Sequence, residues 1–250
     1  MRIALPLMLL SLPLVAVAKD GTRLSLSVYE ATGHYGSPVR TTIQSVALGL
    51  RHRTGHWTLR ASIPWLYIRG AANVLPDGAT TAGSTTRRSR RGLGDVNLSV
   101  ARRLFYYDQE LRAGLSARVA VKLPTASRNQ GLGTGEPDFT MELAPYGYLG
   151  SHTWFAALGY RKYGDTPTTD YQDGWLLRLG LSRPLSDYQA MGLSQRFRQS
   201  NRAGRDDQQS LMLFHDLRLE QGWRTQTYLI RGFSDATAEW AGGLSLIKAF

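Results

Sequence analysis

The sequence predicts an all-β fold: a transmembrane, antiparallel, up-and-down β-barrel of twelve strands. Three observations predict it. Side chains alternate in polarity with a period of two along segments about ten residues long. The chain opens on an export signal, and no later stretch is apolar for long enough to cross a membrane as a helix. Ten strands is the other count the pattern allows, because 208–220 and 223–234 alternate poorly.

The N-terminus is set apart first. Arg2 supplies a positive start, residues 3–15 are almost wholly apolar, and Ala16-Val17-Ala18 is a small-residue cleavage site. The apolar run is short and interrupted by Pro6 and Pro13, so residues 1–18 read as a cleavable signal peptide rather than a span. The domain that folds is 19–250. No cysteine follows the cleavage site, which excludes a lipid-anchored lipoprotein, and the chain as a whole has none. An exported protein of this size without disulfides is held by a core, a sheet network or a membrane.

The net charge is +11, of which Arg2 carries one. A basic exported chain points to anionic neighbours. Nucleic acid is excluded as a partner, since no helix-turn-helix, zinc or aromatic RNA-binding signature is present. Outer-membrane lipid and the phosphates of lipopolysaccharide are the expected ones.

The alternation is clearest over 111–123. Leu111, Ala113, Leu115, Ala117, Val119, Val121 and Leu123 share one face; Arg112, Gly114, Ser116, Arg118, Ala120 and Lys122 share the other. A helix would scatter those cations around its circumference, so the segment is a strand. Trp57, Leu59, Ala61, Ile63, Trp65 and Tyr67 form a second such face, opposite Arg60. Trp175, Leu177, Leu179 and Leu181 form a third, opposite Arg178, and Trp154, Ala156, Leu158 and Tyr160 a fourth. Trp and Tyr gather at the ends of these runs, where an aromatic girdle would place them.

The twelve strands are 21–32, 41–53, 56–70, 94–107, 110–125, 138–149, 152–164, 174–185, 188–200, 208–220, 223–234 and 238–250. Tight turns at 54–55, 108–109, 150–151, 186–187 and 221–222 alternate with longer linkers, the longest being 71–93. Short turns on one side and long loops on the other is the bacterial barrel arrangement, with both termini in the periplasm. A soluble β-sandwich would also alternate, but its outer faces would be richer in Glu and Lys than these faces of Arg and small residues. The terminal Phe250 resembles the assembly signal of outer-membrane barrels, which makes the barrel-assembly machinery an expected partner.

Between residues 92 and 164 four motifs follow in order: Gly92-Leu93-Gly94-Asp95, Lys122-Leu123-Pro124-Thr125, Gly133-Thr134-Gly135 with Asp138, and Gly159-Tyr160. Their order and spacing resemble the meta-pathway phenol-degradation-like family of outer-membrane transporters. The match covers the middle third, and it departs from the family at Ala126-Ser127, where a Gly or Asp is usual. The resemblance implies a barrel in the bacterial outer membrane tied to uptake of small, often aromatic, compounds.

The inward faces carry Arg60, Arg112, Arg118, Lys122, Arg161, Arg178, Arg196 and Arg198, with Asp95, Glu142 and Asp216 as the acids. A twelve-stranded barrel is intermediate between side-chain-filled and open, so a narrow pore favouring anions is one reading. A lumen plugged by pairing of the same residues, in a structural or adhesion barrel, is the other. Pro124, Thr125, Gly131, Gly133, Gly135 and Asp138 mark a loop that either constricts the mouth or lies on the surface. Arg87, Arg88, Arg90 and Arg91, in the longest linker, are candidates for lipopolysaccharide contact, with a solvated loop as the alternative.

Enzymatic chemistry is not expected. The five histidines show no His-x-Ser arrangement, and His215 and Asp216 point to opposite faces of one strand. No cofactor is implied, and His and carboxylates never cluster at metal-ligand spacing.

Overall fold

The computed structural model describes residues 20–71, 74–75, 86–107, 113–166 and 171–250. The strands are β1 (Gly21–Gly33), β2 (Thr41–Thr54), β3 (Trp57–Ala71), β4 (Arg87–Leu93), β5 (Val96–Tyr107), β6 (Ala113–Leu123), β7 (Asp138–Leu149), β8 (His152–Lys162), β9 (Gly174–Pro184), β10 (Gln189–Arg198), β11 (Gln208–Arg218), β12 (Trp223–Gly232) and β13 (Trp240–Ala249). Apart from β4 and β5, which do not pair with each other, consecutive strands pair antiparallel, and β13 pairs with β1 from Ala249 opposite Arg23 to Trp240 opposite Thr32, which closes the sheet. The arms β4 and β5 both lie against β3, one on residues 65–71 and the other on 57–62. They are two halves of one wall strand, so the closed barrel has twelve. The predicted signal peptide, residues 1–18, lies outside the described residues.

The poorly alternating 208–220 and 223–234 contain full wall strands, β11 and β12. Their pattern is blurred because Met212, Phe214 and Ile230 point inward while Thr225 and Thr227 point outward. The linker 71–93 needs correction: its last seven residues are β4, paired to β3.

Outward faces are apolar and accessible, the reverse of a soluble protein. Leu48, Met141 and Leu158 are 61%, 65% and 50% exposed. A continuous surface of this kind is stable only against lipid. Aromatic side chains border it: Trp57 and Trp223 near the short-turn end, Trp65, Tyr160, Trp175 and Trp240 near the long-loop end. Several are braced by cations, with Arg102 5.3 Å from the Trp57 ring, Arg231 5.0 Å from Trp240 and Lys248 5.1 Å from Trp223. Asp20, where the described chain begins, and Phe250 lie at the short-turn end, where the Phe250 amide donates to Thr22 O at 2.9 Å.

The interior is layered. At the long-loop end Ile43, Leu66, Ile68, Val74, Leu132 and Ala241 form a buried apolar cap. Guanidinium groups fill the middle. Below them Phe155, Met212 and Phe214 form a second apolar cluster, flanked by Tyr146 and Tyr228. The two phenylalanine rings lie flat on the wall over Gly180 and Gly192; a Cβ there would come 2.1 Å from Phe155 Cζ and 2.3 Å from Phe214 Cζ.

Candidate functional site

The lumen is where this chain collects its chemistry, and an irregularity in the wall organises it. From Trp65 to Ser62 β3 advances three residues, while the opposite strand advances four, from Leu93 to Asn97. The extra residue is a β-bulge at Gly94-Asp95. Leu93 and Val96 both face lipid, and Asp95, which an unbroken strand would turn outward with Leu93, is swung into the lumen. The bulge leaves backbone groups without ladder partners. Thr125 supplies them: its hydroxyl accepts from Val96 N at 2.9 Å and donates to Gly94 O at 3.1 Å.

That arrangement accounts for the spacing of the two motifs around residues 94 and 125. The chain leaves β6 at Leu123, Pro124 offers no N–H to extend the ladder, and Thr125 caps the bulge. Asp95 Oδ1 then accepts from Ala126 N at 2.9 Å. The following loop turns into the barrel mouth and buries Leu132, 1% exposed, in the apolar cap. Gly131 and Gly135 have positive φ, 66° and 81°. Gly133 serves differently: a Cβ there would meet Asp95 Oδ2 at 2.8 Å.

Lys122 fastens the same loop. Its Nζ lies 3.0 Å from Asp138, 3.6 Å from Asp95 and 2.9 Å from Thr134 Oγ1. Asp138, the first residue of β7, also accepts from Gly164 N at 3.3 Å. Further round the wall Arg118 pairs with Glu142 at 3.0 Å across β6 and β7. Arg161 donates to Thr140 Oγ1 at 3.0 Å and lies 5.6 Å from the Tyr163 ring.

Arg60, Arg178, Arg196 and Arg198 also point inward. Arg112 lies outside the described residues. Between the inserted loop and the wall is a cavity of about 270 Å³, lined by seven cationic side chains and three carboxylates. A second cavity, of about 220 Å³, opens at the long-loop end beside Gly36 and Arg205, and shares Arg198, Asn201 and Gln208 with the first.

The four arginines near residue 90 separate by parity on β4. Arg90 is turned inward and is 8% exposed, donating to Ala71 O at 3.2 Å and to Val74 O. It pins the segment after β3 under the cap, so it cannot reach lipopolysaccharide. Arg88 shares its inward parity at the rim and stays exposed. Arg87 and Arg91 face outward above Trp65, together with Arg69 on β3.

Sequence reading missed several lumen residues. Arg51 on β2 follows the inward small-residue face of Ser45, Ala47 and Gly49, so alternation marked it. Tyr29, Phe155 and Phe214 carried no such mark, because an inward aromatic breaks the apolar-out rule. Arg224 on β12 donates from Nε to Asp216 at 2.9 Å, and Gln226 Nε2 donates to the same oxygen at 3.1 Å. His215 faces outward, away from Asp216, with Nε2 3.2 Å from Gln189 Oε1. Among the described residues no three metal-ligating side chains converge.

The fold has known counterparts. The crystal structure of an outer membrane channel from Pseudomonas putida F1 superposes with a TM-score of 0.70 at 15% identity, covering 94% of this chain and 97% of that one. The translocator domain of the autotransporter NalP from Neisseria meningitidis gives 0.56 at 13% identity, over 94% and 90% of the two chains. KdgM porin gives 0.56 at 8% identity, over 91% and 99%. No family model and no curated protein sequence matches the chain. At these identities the shared property is the architecture, that of outer-membrane β-barrels.

Proposed function

We propose that this chain is a non-catalytic outer-membrane channel that lets small solutes cross passively and favours anions. The observation that carries this reading is the cavity inside a closed, lipid-facing barrel, with its excess of cations over carboxylates. A lumen built only as a plug would pair its charges. Here Arg118 and Lys122 are paired, whereas Arg60 and Arg178 have no hydrogen-bond or ion-pair partner among the described residues. A cationic wall in a confined space raises the local concentration of anions.

The loop from Pro124 to Asp138 is the constriction in this reading, held by Asp95, Lys122 and Thr125. The meta-pathway-like motifs agree with aromatic solutes. Arg87 and Arg91, facing outward at the rim, are placed to meet lipopolysaccharide phosphates. Export through residues 1–18 and recognition of Phe250 by the barrel-assembly machinery complete the proposal.

Conductance of the purified barrel in a planar bilayer tests it. Discrete current steps are expected, with a reversal potential in a KCl gradient that reports chloride preference. No current at any voltage or salt concentration would sink the channel, and cation selectivity would overturn the role given to the arginines.

A further inference from the structure

Two cross-strand pairs in the lumen are arginine opposite arginine: Arg51 with Arg60 on β2 and β3, and Arg178 with Arg196 on β9 and β10. Like charges directly opposite on one face repel. The two pairs belong to nearly opposite walls, and Arg60, Arg118, Arg178 and Arg196 all line one cavity of about 270 Å³. Glu142, which lines the same cavity, pairs with Arg118 at 3.0 Å and offsets only part of the charge of Arg60 and Arg178. Arg178 Nε is buried without an acceptor, and neither Arg60 nor Arg178 has a hydrogen-bond partner among the described residues. Arg60 and Arg178, with unused donors in a confined space that holds more cations than carboxylates, favour an anion between them.

The cavity around them has a second chemistry. Its wall toward the long loops is apolar, made by Pro64, Leu66, Leu75 and Leu132, and Leu176 and Tyr29 continue that surface around the side. The bound anion therefore has a charged end and an apolar body. Size limits it further. A cavity of roughly 150 Å³ accepts a benzene ring, so about 270 Å³ holds one ring with a small charged group and excludes an oligosaccharide. A planar carboxylate matches the fork of a guanidinium bidentately.

We propose that the mid-lumen cavity is a binding site for a single-ring aromatic carboxylate, with the carboxylate clamped between Arg60 and Arg178 and the ring under Leu66 and Leu132. This rests on the channel reading and names the solute class that the channel passes. Entry from outside runs through the smaller cavity, past Arg198, Asn201 and Gln208, which line both spaces.

Benzoate titrated calorimetrically into the full-length barrel, folded in a zwitterionic detergent, is the test. Saturable binding is expected for benzoate, with benzamide and acetate at least tenfold weaker. Losing one guanidinium of the clamp removes charge-assisted hydrogen bonds, so R60Q and R178Q should each weaken benzoate about 10- to 100-fold. R102Q, which changes an outward arginine, should bind as the parent does. Heat-dependent gel migration checks that each variant is folded. Unaltered affinity in both folded clamp variants would overturn the site, as would inorganic phosphate or acetate binding as well as benzoate. Current without benzoate binding refutes this site and leaves the channel standing, whereas benzoate binding without current refutes the channel and keeps the site.

Discussion

Replacing Thr125 by valine removes one hydroxyl and keeps the side-chain shape. The hydroxyl makes two hydrogen bonds to the bulge, 2.9 Å from Val96 N and 3.1 Å to Gly94 O. A net hydrogen bond contributes about 1 kcal/mol, and a buried group left without a partner costs roughly 1–3 kcal/mol. The Val96 bond lies at an exposed position, where water replaces part of the loss, and the Gly94 bond is partly buried. The expected destabilisation is therefore about 1–2 kcal/mol, read as a lower urea midpoint of the folded barrel in lipid. The consequence is also local. With the bulge uncapped, Asp95 loses its fixed aim at Ala126 N, so amides 126–135 should exchange faster while the β8–β11 wall is unchanged. Thr125→Ser keeps the hydroxyl and should retain most of the protection. Were valine to behave like the parent in both measurements, with serine showing the defect instead, the methyl group would be the operative part and the capping argument would be wrong.

Phe214→Ala removes a ring from the apolar layer below the arginines; it should raise single-channel conductance and cost about 3–5 kcal/mol of stability, and an unchanged conductance would show that this layer is not in the path. Asp216→Asn leaves Arg224 without its charge partner at a position 2% exposed, so a loss of roughly 3–5 kcal/mol is expected in chemical unfolding; replacing the pair together by leucine and methionine should recover most of it. Glu239 ties two long loops, with His34 Nδ1 at 2.6 Å and Arg40 Nη2 at 2.7 Å. The hydrogen bond from His34 chiefly holds its carboxyl below the ordinary value; desolvation opposes it, and the hydrogen bond and charge of Arg40 add to the lowering. A depressed acid pKa stabilises above the unfolded value of about 4.3 and loses that contribution as pH falls through the folded value. Hydrogen exchange in 34–40 should therefore rise on acidification below about pH 4, and Glu239→Gln should abolish that pH dependence.

Facing is a local property of a strand, and much of the lumen was legible for that reason. Arg60, Arg118, Lys122, Arg161, Arg178, Arg196 and Arg198 each sit on the small or polar side of a period-two run, and each points inward. Strand number followed from the same rhythm, since an outward face must be apolar in lipid whatever its partners. The exceptions are instructive. The bulge that aligns Asp95 with Ala126 N shows only in the pairing with β3, Arg90 is buried only because β4 continues the ladder of β3, and Phe155 and Phe214 lie inward over glycines of neighbouring strands. None of these can be read from one segment.

The sequence by itself determined which side chains face inward along each regular strand, because alternation needs no knowledge of the neighbour. Tertiary structure alone decided which of them meet. Arginine opposite arginine, a threonine capping a bulge thirty residues away and a loop buried in the mouth all depend on register and closure, and those are set between strands rather than within them.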